Sequence, residues 1–98
     1  MRFVTKQGDT HRAMKCTLIK ANGQPLDLTN CKVEVTITNG IRREVLRQAD
    51  GVVWVVFSAH EVEEPGLFRA EFVVTYPDNN QQTFPDNGYI DVYIQGRL

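Results

Sequence analysis

The sequence is poor in the features that mark secreted, membrane-spanning or nucleic-acid-binding proteins. It has two cysteines and one tryptophan in 98 residues, and its formal net charge is −1. A charge so close to zero gives no basic surface for the phosphates of nucleic acid. The longest apolar run, Val52 to Phe57, is far shorter than the about 20 residues of a membrane-spanning helix. No apolar stretch follows Arg2, so we expect no secretory leader, no membrane partner and synthesis in a cytoplasm.

The two cysteines, Cys16 and Cys31, are open to two interpretations. They could form a disulfide or half of a metal site, or they could be small buried hydrophobic residues in a reducing compartment. Secreted immunoglobulin domains bridge two cysteines that have a tryptophan between them in the sequence. Here Trp54 follows both cysteines, so the antibody-type bridge is not encoded and buried thiols are expected.

Alternation of apolar and polar residues, interrupted by turn residues, dominates what the chain does contain. The clearest example runs from Lys32 to Asn39, where every second residue is apolar, as in a strand with one buried face. Asn-Gly and Asp-Gly pairs, which readily supply the positive φ of tight turns, separate such segments. We predict seven or eight strands in one domain over residues 1–98. The predicted fold is an all-β, immunoglobulin-like antiparallel sandwich, with a small barrel as the alternative.

Four segments carry more specific predictions. Arg12 to Lys20 is predicted as one strand, Ile41 to Arg47 as one charged strand at a sheet edge, and Val52 to Phe57 as a strand buried on both faces. Ser58, with Glu61 three residues later, fits a capping box, so one short helical turn is expected there.

Two loop clusters contain residue types that occur in catalytic or metal sites. Asp9-Thr10-His11 combines an acid, a hydroxyl and an imidazole, but no nucleophile motif accompanies it, so a turn in which Asp9 accepts from nearby backbone amides is favoured. His60 with Glu61, Glu63 and Glu64 lacks the three or four converging ligands of a zinc site, so solvating charges are favoured. We expect no catalytic residue, metal site, cofactor or small-molecule substrate.

Two further loops are rich in oxygen ligands of the kind that bind calcium, Asp78-Asn79-Asn80 and Asp86-Asn87-Gly88. Neither matches the EF-hand loop, and both fall where hairpin turns are needed. The turn interpretation is favoured, and a calcium ion shared between the two loops is the alternative.

An aromatic platform for a protein or a sugar is the best binding feature in the pattern. Its members are Tyr76, Tyr89, Tyr93 and Trp54. Tyr89 and Tyr93 share the face of the last strand opposite its apolar residues, and that face has interface character if it is exposed. The alternative is coverage by charged side chains of a neighbouring strand. The candidate interface residues are Tyr89, Tyr93, Arg42 and Arg43.

Six short motifs occur in order along the chain, at Thr5–His11, Ala21–Thr29, Asp50–Val53, Glu64–Phe72, Val74–Asp78 and Thr83–Ile90. The Tyr76-Pro77-Asp78 motif and the Thr-Phe-Pro-x-x-Gly-Tyr motif of residues 83–89 form the most specific pair. In this order, and over nearly the whole chain, the motifs resemble the N-terminal domain of phage baseplate upper proteins.

The resemblance implies an immunoglobulin-like sandwich in the tail tip of a siphophage, attached to the central baseplate. In that family a helical or fibre segment follows and carries receptor-binding proteins, whereas this sequence ends at Gly96-Arg97-Leu98. The expected function is a structural phage or prophage virion protein, a baseplate assembly module made in the bacterial host cytoplasm. Its expected partners are other tail proteins, with a homo-oligomer as a further option. A carbohydrate-binding or host-adhesion module is the alternative, and a small hydrolase is the third hypothesis.

Overall fold

The computed structural model describes residues 2–98, which form nine β-strands and one short 3-10 turn. The elements are β1 Arg2–Lys6, β2 Met14–Thr17, β3 Lys32–Ile37, β4 Arg42–Glu44, β5 Leu46–Arg47, β6 Val52–Val55, the turn His60–Val62, β7 Gly66–Thr75, β8 Gln81–Phe84 and β9 Ile90–Gln95.

The strands form two sheets around one buried apolar cluster. The larger sheet has the order β1-β9-β7-β3-β4, with β8 pairing with β7, and the smaller sheet has the order β2-β6-β5. The cluster takes residues from both sheets, among them Val53 and Val55 of the smaller sheet and Val35, Phe72 and Val92 of the larger one. The prediction of an all-β sandwich is confirmed.

Strand β7 is the longest strand and organises the larger sheet. On one edge, Ala70–Thr75 pairs antiparallel with β3. The other edge is shared, because β9 pairs with Gly66–Ala70 and β8 pairs with Phe72–Thr75. Residues 85–89 connect β8 to β9 and belong to no strand. The Phe84–Pro85 peptide bond is cis.

The first strand runs parallel to the last, which corrects the prediction of a purely antiparallel sandwich. The pairing runs from Arg2 opposite Asp91 to Lys6 opposite Gln95, and the other strand pairs of the described chain are antiparallel. Alternation repeats every second residue in parallel and antiparallel strands alike, so the pattern could not give the direction. Because β1 lies beside β9, it does not cover the free edge of β2.

The segment predicted as a single charged edge strand crosses from one sheet to the other. Its first part, β4, pairs with β3, and its second part, β5, pairs with β6. Val45 between them is buried, and its N–H donates to the Val33 carbonyl at 3.0 Å. The crossing splits the segment and raises the strand total to nine, although both halves lie at sheet edges as the charges indicate.

The Val52–Phe57 segment is buried on one face, not on both as predicted. Val53, Val55 and Phe57 are buried, whereas Val56 is 52% exposed. The reason is that β6 is central within its own sheet, but the outer face of that sheet has no covering layer.

The strand predicted over Arg12–Lys20 is shorter than expected at both ends, because β2 begins at Met14 and ends at Thr17. The predicted apolar face is nevertheless correct, since Met14, Cys16 and Leu18 are all buried. Beyond β2, the Lys20 N–H donates to the Gln24 carbonyl at 2.8 Å, so the chain turns back on itself instead of extending the sheet.

The predicted capping box is confirmed. The Ser58 N–H donates to Glu61 Oε1 at 3.0 Å, and the Glu61 N–H donates to Ser58 Oγ at 3.3 Å. These reciprocal bonds satisfy backbone donors at the start of the 3-10 turn, in which Val62 is buried.

Candidate interaction surfaces

An apolar row crosses three strands on the outer face of the larger sheet. Val4 of β1 lies opposite Tyr93 of β9, and Tyr93 lies opposite Leu67 of β7. Leu67 is 65% exposed, and Val4 and Tyr93 are half-buried. Directly paired side chains on one face of a sheet have Cβ atoms about 5 Å apart, so the three form one continuous patch. We call Val4, Tyr93 and Leu67 the outer-face row.

A charged row runs beside the outer-face row. Arg2 of β1 lies opposite Asp91 of β9, which lies opposite Arg69 of β7. The Arg2 guanidinium carbon is 5.3 Å from the centre of the Tyr93 ring, and that of Arg69 is 5.2 Å from the centre of the Tyr89 ring. Each of the two tyrosine rings therefore has an arginine beside it, and the apolar row has a mainly cationic border.

The structure divides the predicted interface residues between the two faces of the larger sheet. Tyr93 and Tyr89 lie with the outer-face row, and Tyr89 is 54% exposed. Arg42 is exposed in β4, whereas Arg43 is paired with the fully buried Val35 and points toward the space between the sheets. The four residues do not form one surface, and the interface role of the outer-face residues stays a prediction.

Arg43 joins β4 to the segment that follows the smaller sheet. Its Nε donates to Glu61 Oε2 at 2.7 Å, and its Nη2 donates to Glu61 Oε1 at 2.9 Å and to the Val56 carbonyl at 2.7 Å. The Glu61 side chain is only 20% exposed. Hydrogen bonds from Arg43 are the main reason that the pKa of Glu61 lies below its usual value. Arg43 thus links β4 to residues 56 and 61 inside the domain and has a structural role.

A polar cleft of about 400 Å³ surrounds this ion pair, between residues 39–43 and residues 60–64. His60 Nδ1 is 3.1 Å from Glu63 Oε1, and both side chains are largely exposed. Glu61 is turned away toward Arg43, so the predicted cluster does not converge on one point. Among residues 2–98, no group of three or more histidine, cysteine or acidic side chains is arranged to hold a metal ion.

The Asp9 carboxylate has a different partner from the one predicted. Arg97 Nη2 donates to Asp9 Oδ1 at 2.8 Å, instead of nearby backbone amides donating to it. The turn itself is closed by the Asp9 N–H, which donates to the Lys6 carbonyl at 3.1 Å. Parallel pairing of β1 with β9 brings residues 9 and 97 together, a contact that local sequence cannot reveal. His11 is exposed beside this turn.

The two oxygen-rich loops lie at opposite ends of β8, so they do not meet to share a calcium ion. The strand has four residues, which separates its ends by roughly 10 Å. Asp78 Oδ1 accepts from the Asn80 N–H at 3.0 Å, and Asp78 Oδ2 accepts from Asn80 Nδ2 at 3.0 Å. The Asp78 carboxylate therefore closes its own turn, as the turn interpretation predicts.

The predicted aromatic platform is dispersed over the domain. Trp54 belongs to the smaller sheet, and the Lys15 ammonium lies 4.9 Å from the centre of its ring. Tyr76 follows β7, and its hydroxyl donates to Gln82 Oε1 at 2.7 Å. Tyr89 immediately precedes β9, and Tyr93 lies within it.

A second cleft, mainly apolar and of about 290 Å³, lies between β2 and the junction of β8 with β9. Its lining includes Cys16, Leu18, Phe72, Phe84 and Ile90. Cys16 and Cys31 are both buried thiols, with no disulfide between them, as the sequence indicates. Burial raises the pKa of Cys16 to about 11, so its thiol is neutral in this lining.

Two features of these surfaces were not identified from the sequence. Leu67 and Phe68 are adjacent in a strand, so one of them must face outward, and this signal could have identified the exposed Leu67. No sequence signal could have identified the open edge of β2, because whether that edge is covered depends on which strand β1 pairs with.

No protein-family model matches the chain, and no curated protein matches its sequence. Within residues 2–98, the structure contains no helix with the length and apolar character needed to cross a membrane.

Proposed function

We propose that this protein is a non-catalytic virion protein of a phage or prophage, an assembly module of the tail tip or baseplate. It binds other tail proteins through the outer face of its larger sheet. The phage assignment rests on the resemblance of its ordered motifs to the N-terminal domain of baseplate upper proteins. The outer-face row is the observation that supports a protein partner.

The chemistry of the outer face fits a protein partner. Exposed apolar side chains bordered by arginine and tyrosine are typical of the centre of protein–protein interfaces. Leu67 is 65% exposed, and burying such a side chain against a partner removes apolar surface from water. Arg2 and Arg69 beside the row supply charge for a partner with acidic residues around its own apolar centre.

The experiment is co-expression with candidate tail-tip proteins encoded next to this protein, followed by size-exclusion chromatography. We expect a stable complex with one of them, and we expect the Leu67→Glu variant to lose it. Leu46→Glu is the matched control, because Leu46 is 66% exposed but lies on the smaller sheet. Loss of the complex in both variants, or in neither, contradicts binding through the outer face. A failure of every tail-tip candidate to bind contradicts the phage assignment.

The carbohydrate-binding alternative has less support from the geometry. Sugar stacking needs an open aromatic ring face, and cations lie over Trp54, Tyr89 and Tyr93. A sugar on those faces must displace a cation–π contact of about 0.5–1 kcal/mol. The four aromatic side chains also lie in different parts of the domain instead of lining one concave surface.

A further inference from the structure

The outer edge of β2 is an open strand edge. β2 is the terminal strand of the smaller sheet and pairs only with β6 among the described strands. On the β6 side, the Leu18 N–H donates to the Gly51 carbonyl at 2.8 Å. Alternate residues of a strand direct their backbone groups to opposite edges, so Lys15 and Thr17 direct theirs to the open edge. Within residues 2–98, no backbone hydrogen bond outside the strand ladders involves Lys15 or Thr17.

The apolar cleft lies directly beside this open edge. One wall is formed by residues 16–19 of β2 and its extension. The other is formed by Phe72, Phe84 and Ile90 of the larger sheet, together with residues 85–87 and Tyr89 of the segment between β8 and β9. Asp86 is the one acidic residue of this lining. Ile19 is 51% exposed at its rim. An added strand along β2 would direct every second side chain into this cleft, which supplies a pocket for alternate residues.

The charges along β2 define the partner that fits. The segment Thr10 to Ala21 contains His11, Arg12, Lys15 and Lys20 and no acidic residue. No salt bridge in the described chain uses Arg12, Lys15 or Lys20, and Lys15 is exposed on the sheet surface over Trp54. A second copy pairing through the same edge would bring these like charges together, which disfavours it.

We propose that β2 and the adjacent apolar cleft accept an extended acidic peptide segment of a partner protein by strand addition. Its backbone pairs with Lys15 and Thr17, its alternate apolar side chains fill the cleft, and its carboxylates lie along the basic segment. This site contains none of Val4, Tyr93 and Leu67, the three residues of the outer-face row, although Tyr89 at the cleft lies next to that face. It stands whether or not the outer face binds a tail protein.

The first test uses two synthetic peptides, one alternating Val and Glu and one alternating Val and Lys. Backbone NMR titration and amide hydrogen exchange measure where each peptide binds. We expect the acidic peptide to bind at least about tenfold more tightly than the basic one. We also expect it to slow amide exchange at Lys15 and Thr17. Equal affinity for the two peptides, or protection confined to other strands, overturns the proposal.

Variants of the protein separate backbone pairing from charge. Lys15→Glu is expected to weaken acidic-peptide binding about tenfold, whereas Arg47→Glu, with the same charge change at the opposite edge of that sheet, is expected to leave it unchanged. Thr17→Pro removes one outward N–H at an edge position that tolerates proline, and it is expected to reduce binding while the circular dichroism spectrum is retained. If Lys15→Glu and Arg47→Glu have equal effects, the proposal is wrong.

Self-association is measured in the same samples without peptide. Sedimentation velocity is expected to show a monomer whose Lys15 and Thr17 amides exchange rapidly. A dimer with these two amides protected identifies a second copy as the occupant and overturns the acidic-peptide proposal. Leu67→Glu is expected to leave peptide binding intact, so failure of the outer face and failure of this site are distinguishable.

Discussion

Arg43 and Glu61 form a bidentate ion pair between β4 and the 3-10 turn, with N–O distances of 2.7 and 2.9 Å. The preceding residue, Arg42, points away from the core and is exposed. Two adjacent arginines thus have different physical roles, and this difference allows a direct test.

We predict that Arg43→Met destabilises the domain more than Arg42→Met. Losing Arg43 removes both guanidinium hydrogen bonds from the Glu61 carboxylate, which keeps only the Ser58 N–H, and it removes the Arg43 donor from the Val56 carbonyl. The expected loss is about 1–2 kcal/mol of unfolding free energy, discounted for partial exposure of Arg43. Arg42→Met is expected to change it by no more than about 0.5 kcal/mol. Urea unfolding followed by circular dichroism measures both values, and equal losses contradict the structural role of Arg43.

The same ion pair predicts a pH dependence. The pKa of Glu61 is lowered in the folded state, chiefly by hydrogen bonds from Arg43, so the folded protein favours the deprotonated carboxylate. Its stabilising contribution is present above the pKa of the unfolded state, about 4.3, and is lost as the pH falls through the folded pKa. The unfolding free energy of the wild type should exceed that of Glu61→Gln near neutral pH, with the difference shrinking in acid. A difference that does not vary with pH contradicts this assignment.

Gly51 is predicted to be intolerant of any side chain. Its φ is +89°, and a Cβ atom there would lie 2.9 Å from the carbonyl oxygens of Leu18 and Leu26. Gly23 is the matched control, because its φ is +85° and a Cβ atom there meets nothing within 4 Å. Gly23→Ala is expected to lower the free energy of unfolding by about 1 kcal/mol, because of the backbone conformation alone. Gly51→Ala should lower the free energy of unfolding by about 1–3 kcal/mol more, because the added Cβ atom forces the neighbouring backbone to shift. Thermal and urea unfolding measure both, and similar costs for the two variants exclude the close approach.

Cys16 is predicted to react slowly with thiol reagents in the folded protein. Its pKa of about 11, against 9.0 for an unperturbed thiol, leaves about 100-fold less thiolate near neutral pH. Alkylation with iodoacetamide, followed by peptide mass spectrometry, resolves Cys16 from Cys31. We expect labelling of Cys16 to be at least about 100-fold faster in denaturant than in the native state. Comparable rates in the two conditions show that Cys16 is not protected by the fold.

Much of the strand pattern could be predicted because burial of one face leaves a period of two in the sequence. Val33, Val35 and Ile37 are buried as the alternation in β3 indicates. The capping box of Ser58 and Glu61 was also predictable, since its partners are three residues apart and its geometry is local.

The errors arise where a neighbouring strand, and not the local pattern, decides the outcome. Val56 faces solvent because no layer covers the smaller sheet, although its hydrophobicity predicts burial. Asp9 bonds to Arg97 because parallel pairing brings the ends of the chain together. The outer-face row also depends on strand pairing. Leu67 and Val4 belong to it only because β9, with Tyr93, lies between their strands.

The sequence by itself determined where strands form, which face of most of them is buried, and where turns need glycine or a short polar side chain. These properties depend on residues a few positions apart. Only the tertiary structure decided the parallel direction of β1, the crossing at Val45 and the open edge of β2. The physical reason is that alternation records which side chains avoid water, whereas backbone hydrogen bonds between strands are nearly independent of side-chain identity.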